Sequence, residues 1–92
     1  LDKSTVDNET IENLLMTVKG VQGTHKIRTR GKTSQKYIDM HITVDTSLSI
    51  EEAHDVCEEV EKKLKRCIPN VKEVLIHIEP DGNNSEKSCL KK

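Results

Sequence analysis

The sequence contains no tryptophan and no phenylalanine, and Tyr37 is its only tyrosine. A core must therefore be assembled from valine, isoleucine and leucine, and no set of aromatic platforms exists on which nucleobases could stack. There is no excess of charge of one sign. Fifteen basic and sixteen acidic residues leave a formal net charge of -1, which excludes a broad electrostatic grip on nucleic acid or anionic lipid. No run approaches the roughly 18 apolar residues that a membrane span needs, and the first residues lack the layout of a signal peptide. The three cysteines, Cys57, Cys67 and Cys89, are an odd number without CxxC spacing. Neither a disulfide framework nor a cysteine-type zinc finger fits, and a reducing, cytosolic setting is expected. The terminal "CLKK" sets Cys89 where a prenylated cysteine would stand, but its lysines do not suit a CaaX box.

The 92 residues make one small domain, and at that length folding buries only about 60 to 65% of the unfolded surface. The core is thin, so added stability from a second copy of the chain or from a bound ion is expected. The chain starts at Leu1 without a methionine and reads as a piece of something longer; residues 82–92, "GNNSEKSCLKK", read as a flexible tail.

Ile11, Leu14, Leu15 and Val18 recur at helical spacing behind Asp7, a natural cap, which predicts a first helix over about residues 8–19, ended at Gly20. Residues 23–30 and 36–45 then form a hairpin around "GKTS". In its second strand Ile38, Met40, Ile42 and Val44 alternate with Tyr37, Asp39, His41 and Thr43, so one face is apolar and the other polar. Ser49 and Glu52 stand at capping-box spacing and open a second helix to about Arg66, with Ala53, Val56, Val60, Leu64 and Cys67 as its buried stripe, stopped by Pro69 and Asn70. The last strand, 71–79, sets Val74, Ile76 and Ile78 on one face and Leu75, His77 and Glu79 on the other. The order is αββαβ. A helical crossover makes the second and third strands parallel and the second central, which gives an α+β two-layer sandwich: a three-stranded mixed sheet covered on one face by two helices.

That topology brings His41 and His77 together on the uncovered face, with Glu79 beside His77. Imidazole and carboxylate together suit zinc and also manganese, iron, cobalt and nickel. His54, at the start of the second helix, sits where the positive helix end favours the neutral, ligating imidazole. Parity groups His25 with Ile27, against Lys26, Arg28 and Arg30, and leaves its direction open unless a bulge or strand end intervenes. No pair makes an HxH or HExxH pattern, and on spacing alone the same histidines are readable as solvated surface residues. Glu79 before Pro80 is equally readable as a strand-end carboxylate. Cys57, three residues after His54, reads as a small buried hydrophobe before it reads as a ligand. "GVQG" is formally a GxxG and Lys26, Arg28, Arg30 and Lys32 make a basic row, but a KH module places GxxG between helices, whereas here a strand follows.

Taken in order and at these separations, "GVQGTHKIRTR", "YIDMHITVDTSLSIEEAH" and "VLIHIEP" resemble the C-terminal cytoplasmic domain of cation diffusion facilitator transporters, over nearly all of residues 1–80. The resemblance implies a metallochaperone-like, ferredoxin-like-variant fold that forms a homodimer below a transmembrane domain of the same polypeptide, on the cytoplasmic side of a membrane. It implies a divalent metal ion, foremost Zn2+ with Mn2+, Fe2+, Co2+, Ni2+ or Cd2+ as alternatives, held by His25, His41, His54, His77 and Glu79. Leu1 and Asp2 look like the end of the last transmembrane segment, with Asp2 as a candidate dimer lock. Residues 1–7 are then a linker, 8–80 the regulatory domain and 81–92 the tail. The expected function is metal sensing that favours a closed dimer of an efflux transporter, without enzymatic activity and without nucleic acid. A metal-independent dimerisation platform is the alternative, and a KH-like nucleic-acid-binding module a remote one.

Overall fold

A computed structural model describes residues 6–81, so Asp2, Cys89 and the expected tail lie outside the described residues. The elements are α1 (Asn8–Leu15), β1 (Gly23–Lys32), β2 (Gln35–Val44), α2 (Ile50–Cys67) and β3 (Val71–Pro80). β2 is central, antiparallel to β1 and parallel to β3. This is the expected α+β sandwich, with both helices on one face of a mixed sheet.

Each helix begins where its cap dictates. The Asp7 carboxylate accepts the Thr10 backbone N–H at 2.8 Å; hydrogen bonding by the Thr10 side chain, and next by that N–H, holds its carboxyl below the ordinary range. Ser49 and Glu52 close a reciprocal capping box at 3.0 and 2.9 Å, which satisfies two otherwise orphaned N–H groups. α1 stops at Leu15, shorter than the expected reach to residue 19. Thr17 and Val18 bond back three residues, to the carbonyls of Leu14 and Leu15, and the Thr17 hydroxyl donates to the Leu14 carbonyl at 2.6 Å. This tighter turn still carries Val18 into the core.

Ile11, Leu15, Ile38, Met40, Ile42 and Leu64 are the largest fully buried side chains. They come from the helix stripes and from the even-numbered residues of β2, as the two periodicities require. Two expectations about α2 need correction. Cys67 is exposed and Ile68 is buried in its place, because Ile68 leaves the helix in an extended conformation, φ -120° and ψ 125°, and turns back under the sheet. Cys57 is half-buried, and burial pushes its thiol up. Lys36, a charged residue at an apolar position of the β2 alternation, is only 4% exposed. Its Nζ donates to the carbonyls of Thr33 and Pro69 at 3.1 and 2.9 Å, so it clamps the hairpin turn to the loop before β3.

Candidate metal centre

The face of the sheet away from the helices carries a row of imidazoles. His25 is paired with His41 across β1 and β2, and His41 with His77 across β2 and β3. One residue from each strand thus lies on one rung. Their rings stack, with centroids 5.2 Å apart for His25 and His41 and 4.6 Å for His41 and His77.

His25 reaches this face through a β-bulge. Between the pairs His25 with His41 and Arg28 with Asp39 the register shifts: β1 spends Lys26 and Ile27 where β2 has Met40 alone. The extra residue reverses the parity of everything before it. Lys26 absorbs the turn at φ 54°, in the left-handed region, while Ile27 packs against the core. The conflict between His25 and its charged neighbours in the sequence was the visible trace of this bulge.

Glu79 lies two residues beyond His77 on β3 and points back across the row. One carboxylate oxygen is 3.1 Å from His25 Nε2 and the other 2.7 Å from His41 Nδ1. The His41 hydrogen bond is the main reason that the Glu79 carboxyl sits below the ordinary carboxylate range; partial burial opposes it, and the positive charges of His25 and His41, when protonated, and of Lys26 add to it. One ligand atom from each of His25, His41 and Glu79 lies within 4.8 Å of the other two.

The donor set fits a divalent ion of zinc type. Zinc takes imidazole nitrogen at about 2.0 to 2.1 Å and carboxylate oxygen at about 2.0 to 2.2 Å, so tetrahedral donors stand about 3.3 Å apart. The two contacts of Glu79, at 3.1 and 2.7 Å, are about 0.2 and 0.6 Å shorter than that. An ion would enter by replacing hydrogen-bonding protons and easing the donors slightly apart. Three donors leave a tetrahedral ion one ligand short. His77 flanks the triad by stacking on His41. His54 is not brought to it: it sits exposed on α2, in the layer on the other side of the sheet, 3.8 Å from Glu58.

Two features beside the triad were not anticipated. Asp39 is bonded by Arg28 at 3.3 and 3.4 Å, with Arg30 3.8 Å away, so the basic row of β1 folds onto a carboxylate of β2. Farther along the face, Tyr37 and Leu75 are exposed apolar side chains. The "GVQG" stretch lies between α1 and β1 with Val21 buried, so it presents no KH-like loop between helices. No helix among the described residues is long and apolar enough to cross a membrane.

Residues 4–81 match the family described as "Cation efflux protein, cytoplasmic domain". The chain is 42% identical over 72 residues to Metal tolerance protein C1 of Arabidopsis thaliana, covering 78% of this chain and 15% of that protein. It is 34% identical over 82 residues to the cation-efflux pump FieF of Serratia proteamaculans, covering 87% and 27%. It is 32% identical over 83 residues to the manganese efflux system protein MneP of Bacillus subtilis, covering 87% and 28%. The chain thus spans less than a third of the length of these relatives. Among solved structures, a histidine-to-alanine variant of the MamM CTD superposes with a TM-score of 0.74 at 27% identity, over 80% of this chain and 92% of that one. A nickel form of a glutamate-to-histidine variant of the MamM CTD gives 0.74 at 26% identity, over 80% and 94%.

Proposed function

Because this chain belongs to the family of cation efflux protein cytoplasmic domains, we propose that it is the metal-sensing and dimerisation domain of a divalent-cation efflux transporter. The observation that carries the reading is the triad of His25, His41 and Glu79, assembled from all three strands on the face that the core does not use. Zn2+ suits two imidazoles and a carboxylate. Manganese in the name of one relative and nickel in a MamM structure keep the other borderline divalent ions in view.

An ion held there ties β1, β2 and β3 together. His77 stands at the margin of the site and would serve an ion only with ligands beyond the triad, such as those of a second copy; His54, on the helix layer, has ligand atoms of Asp55 and Glu58 within 4.8 Å on the exposed surface of α2. An ion that binds one dimer arrangement better than another shifts the population by that difference in affinity and no more. A closed, metal-loaded dimer is the state so favoured. Residues 1–7 then lead from a transmembrane domain, with Asp2 as a lock between copies, and the domain works on the cytoplasmic side.

Calorimetric titration of the metal-free, reduced domain with Zn2+ at pH 7.5 tests this, beside a His41→Ala, His77→Ala double variant. Saturable binding that largely disappears in the variant supports the reading; binding that is absent, or unchanged in the variant, refutes it. Protons compete for the same donors, so affinity must fall between pH 7.5 and pH 5.5.

A second reading, a metal-independent dimerisation platform, draws on Tyr37 and Leu75, which leave apolar surface on the open face. Sedimentation with and without chelator separates the two: a dimer indifferent to chelator favours the platform.

A further inference from the structure

Next to the triad a cavity of about 390 Å³ is lined by Lys26, Arg28, Asp39, His41 and His77. Its charge is unexpected for a cation site. Lys26 makes no salt bridge among the described residues, and Asp39 is shared between Arg28 and Arg30. Lys26, Arg28 and Arg30 against Asp39 and Glu79 give a surplus of one positive charge with the imidazoles neutral, and three once a divalent ion is added. Like charges lining a cavity beside the site disfavour the ion unless something offsets them.

A single small anion can supply both the offset and the missing ligand. Three donors leave a tetrahedral ion one position short, and His41 belongs both to the triad and to the cavity wall. Resting on the metal-site reading above, we propose that the ion is bound together with a small carboxylate anion. One carboxylate oxygen takes the open coordination position, while Lys26 and Arg28 hold the other by charge-assisted hydrogen bonds. The basic rim then acts as the anion half of a two-part site, and the domain responds to a metal–carboxylate pair more strongly than to the bare ion.

Cobalt(II) and acetate are suitable probes, at constant ionic strength held with sodium perchlorate. Cobalt binding is followed by its visible absorption and by calorimetry in the parent, in His41→Ala and in a Lys26→Gln, Arg28→Gln double variant. The two substituted side chains are exposed, and circular dichroism checks the fold of each protein. Acetate in solution binds free cobalt, so without a ternary site it weakens apparent binding. The proposal expects the reverse: about fivefold tighter binding with 20 mM acetate, as for an acetate dissociation constant of about 5 mM at the metal-loaded site, and a changed absorption band. In the double variant acetate no longer tightens binding, and acetate-free affinity rises because two repelling charges are gone.

Cobalt binding that needs His41 but ignores acetate overturns this proposal and leaves the metal site standing. So does acetate enhancement that survives in the double variant. Acetate indifference combined with cobalt-driven dimerisation assigns the open position to a carboxylate of a second copy and also overturns it. No cobalt binding, or binding unchanged in His41→Ala, refutes the metal site itself.

Discussion

The bulge at Lys26 makes a quantitative demand on the sequence. An L-residue in the left-handed region costs about 1 to 2 kcal/mol, and Lys26 sits there at φ 54°. Lys26→Gly removes that strain but gives back about 0.5 to 1 kcal/mol through the larger entropy of the unfolded chain. The net expectation is a stability unchanged or raised by up to about 1.5 kcal/mol. Lys26→Val goes the other way. A β-branched residue at positive φ is a conformational outlier, so the protein either carries the strain or loses the bulge. Loss of the bulge shifts parity and swings His25 off the open face, away from Glu79. Urea unfolding should therefore rank Gly at or above Lys, with Val lowest and about 2 kcal/mol below Gly. For a domain of this size that spread corresponds to roughly 8 to 16 °C in midpoint temperature. The proton NMR contact between the His25 ring and the Glu79 side chain should persist in the glycine variant and vanish or weaken in the valine variant. A valine variant as stable as the glycine one, with that contact intact, would refute the claim that the bulge positions His25.

Three further outcomes follow from the fold. Ser49→Ala removes one half of the capping box and should cost about 1 kcal/mol in urea unfolding, while Ser49→Asp should restore most of it. Gly20→Ala should cost about 2 kcal/mol or more, because Gly20 has φ +102° and a Cβ there would lie 2.6 Å from Val56 Cγ2; a thermal midpoint equal to the parent's would contradict this. Asp7 and Asp45 both accept hydrogen bonds that depress their carboxyl pKa values. Their stabilisation is complete above the ordinary aspartate range and is lost as pH falls through the depressed values. An Asp7→Asn, Asp45→Asn double variant should accordingly lose less stability than the parent between pH 5 and pH 2.5, read from urea midpoints; parallel curves would show that these bonds carry no pH dependence.

Much of this architecture was legible because the two periodicities seldom conflict. The strict alternation of β2 marks its buried side in the sequence itself, and the capping box locates the start of α2. What stayed hidden depends on a single backbone torsion or on a distance between strands. The end of α1 was misplaced because a tight turn can keep Val18 on the helical face after the regular ladder has stopped. Cys67 fits a helical stripe, yet the chain turns extended one residue later and buries Ile68. Lys36 occupies the apolar parity of β2 and carries no mark in the sequence that its ammonium finds two carbonyls. The partnership of His41 with Glu79 follows from parallel strands in the observed register, whereas the place of His25 required the bulge.

The site and the core occupy opposite faces of one sheet, and this separation bears on how both are read. The imidazoles and Glu79 are exposed or half-exposed, so their mutual bonds in the metal-free protein add little to stability, as is usual for exposed ion pairs. The side chains of the core, by contrast, come from α1, α2 and the other side of β2. Removing His41 or His77 therefore withdraws chemistry without opening a cavity in the core. Any ion-dependent gain in stability must then come from the ion itself, in proportion to its occupancy and affinity. A three-stranded sheet with so thin a core has room for such a gain, and a triad drawn from every strand is where an ion would confer it.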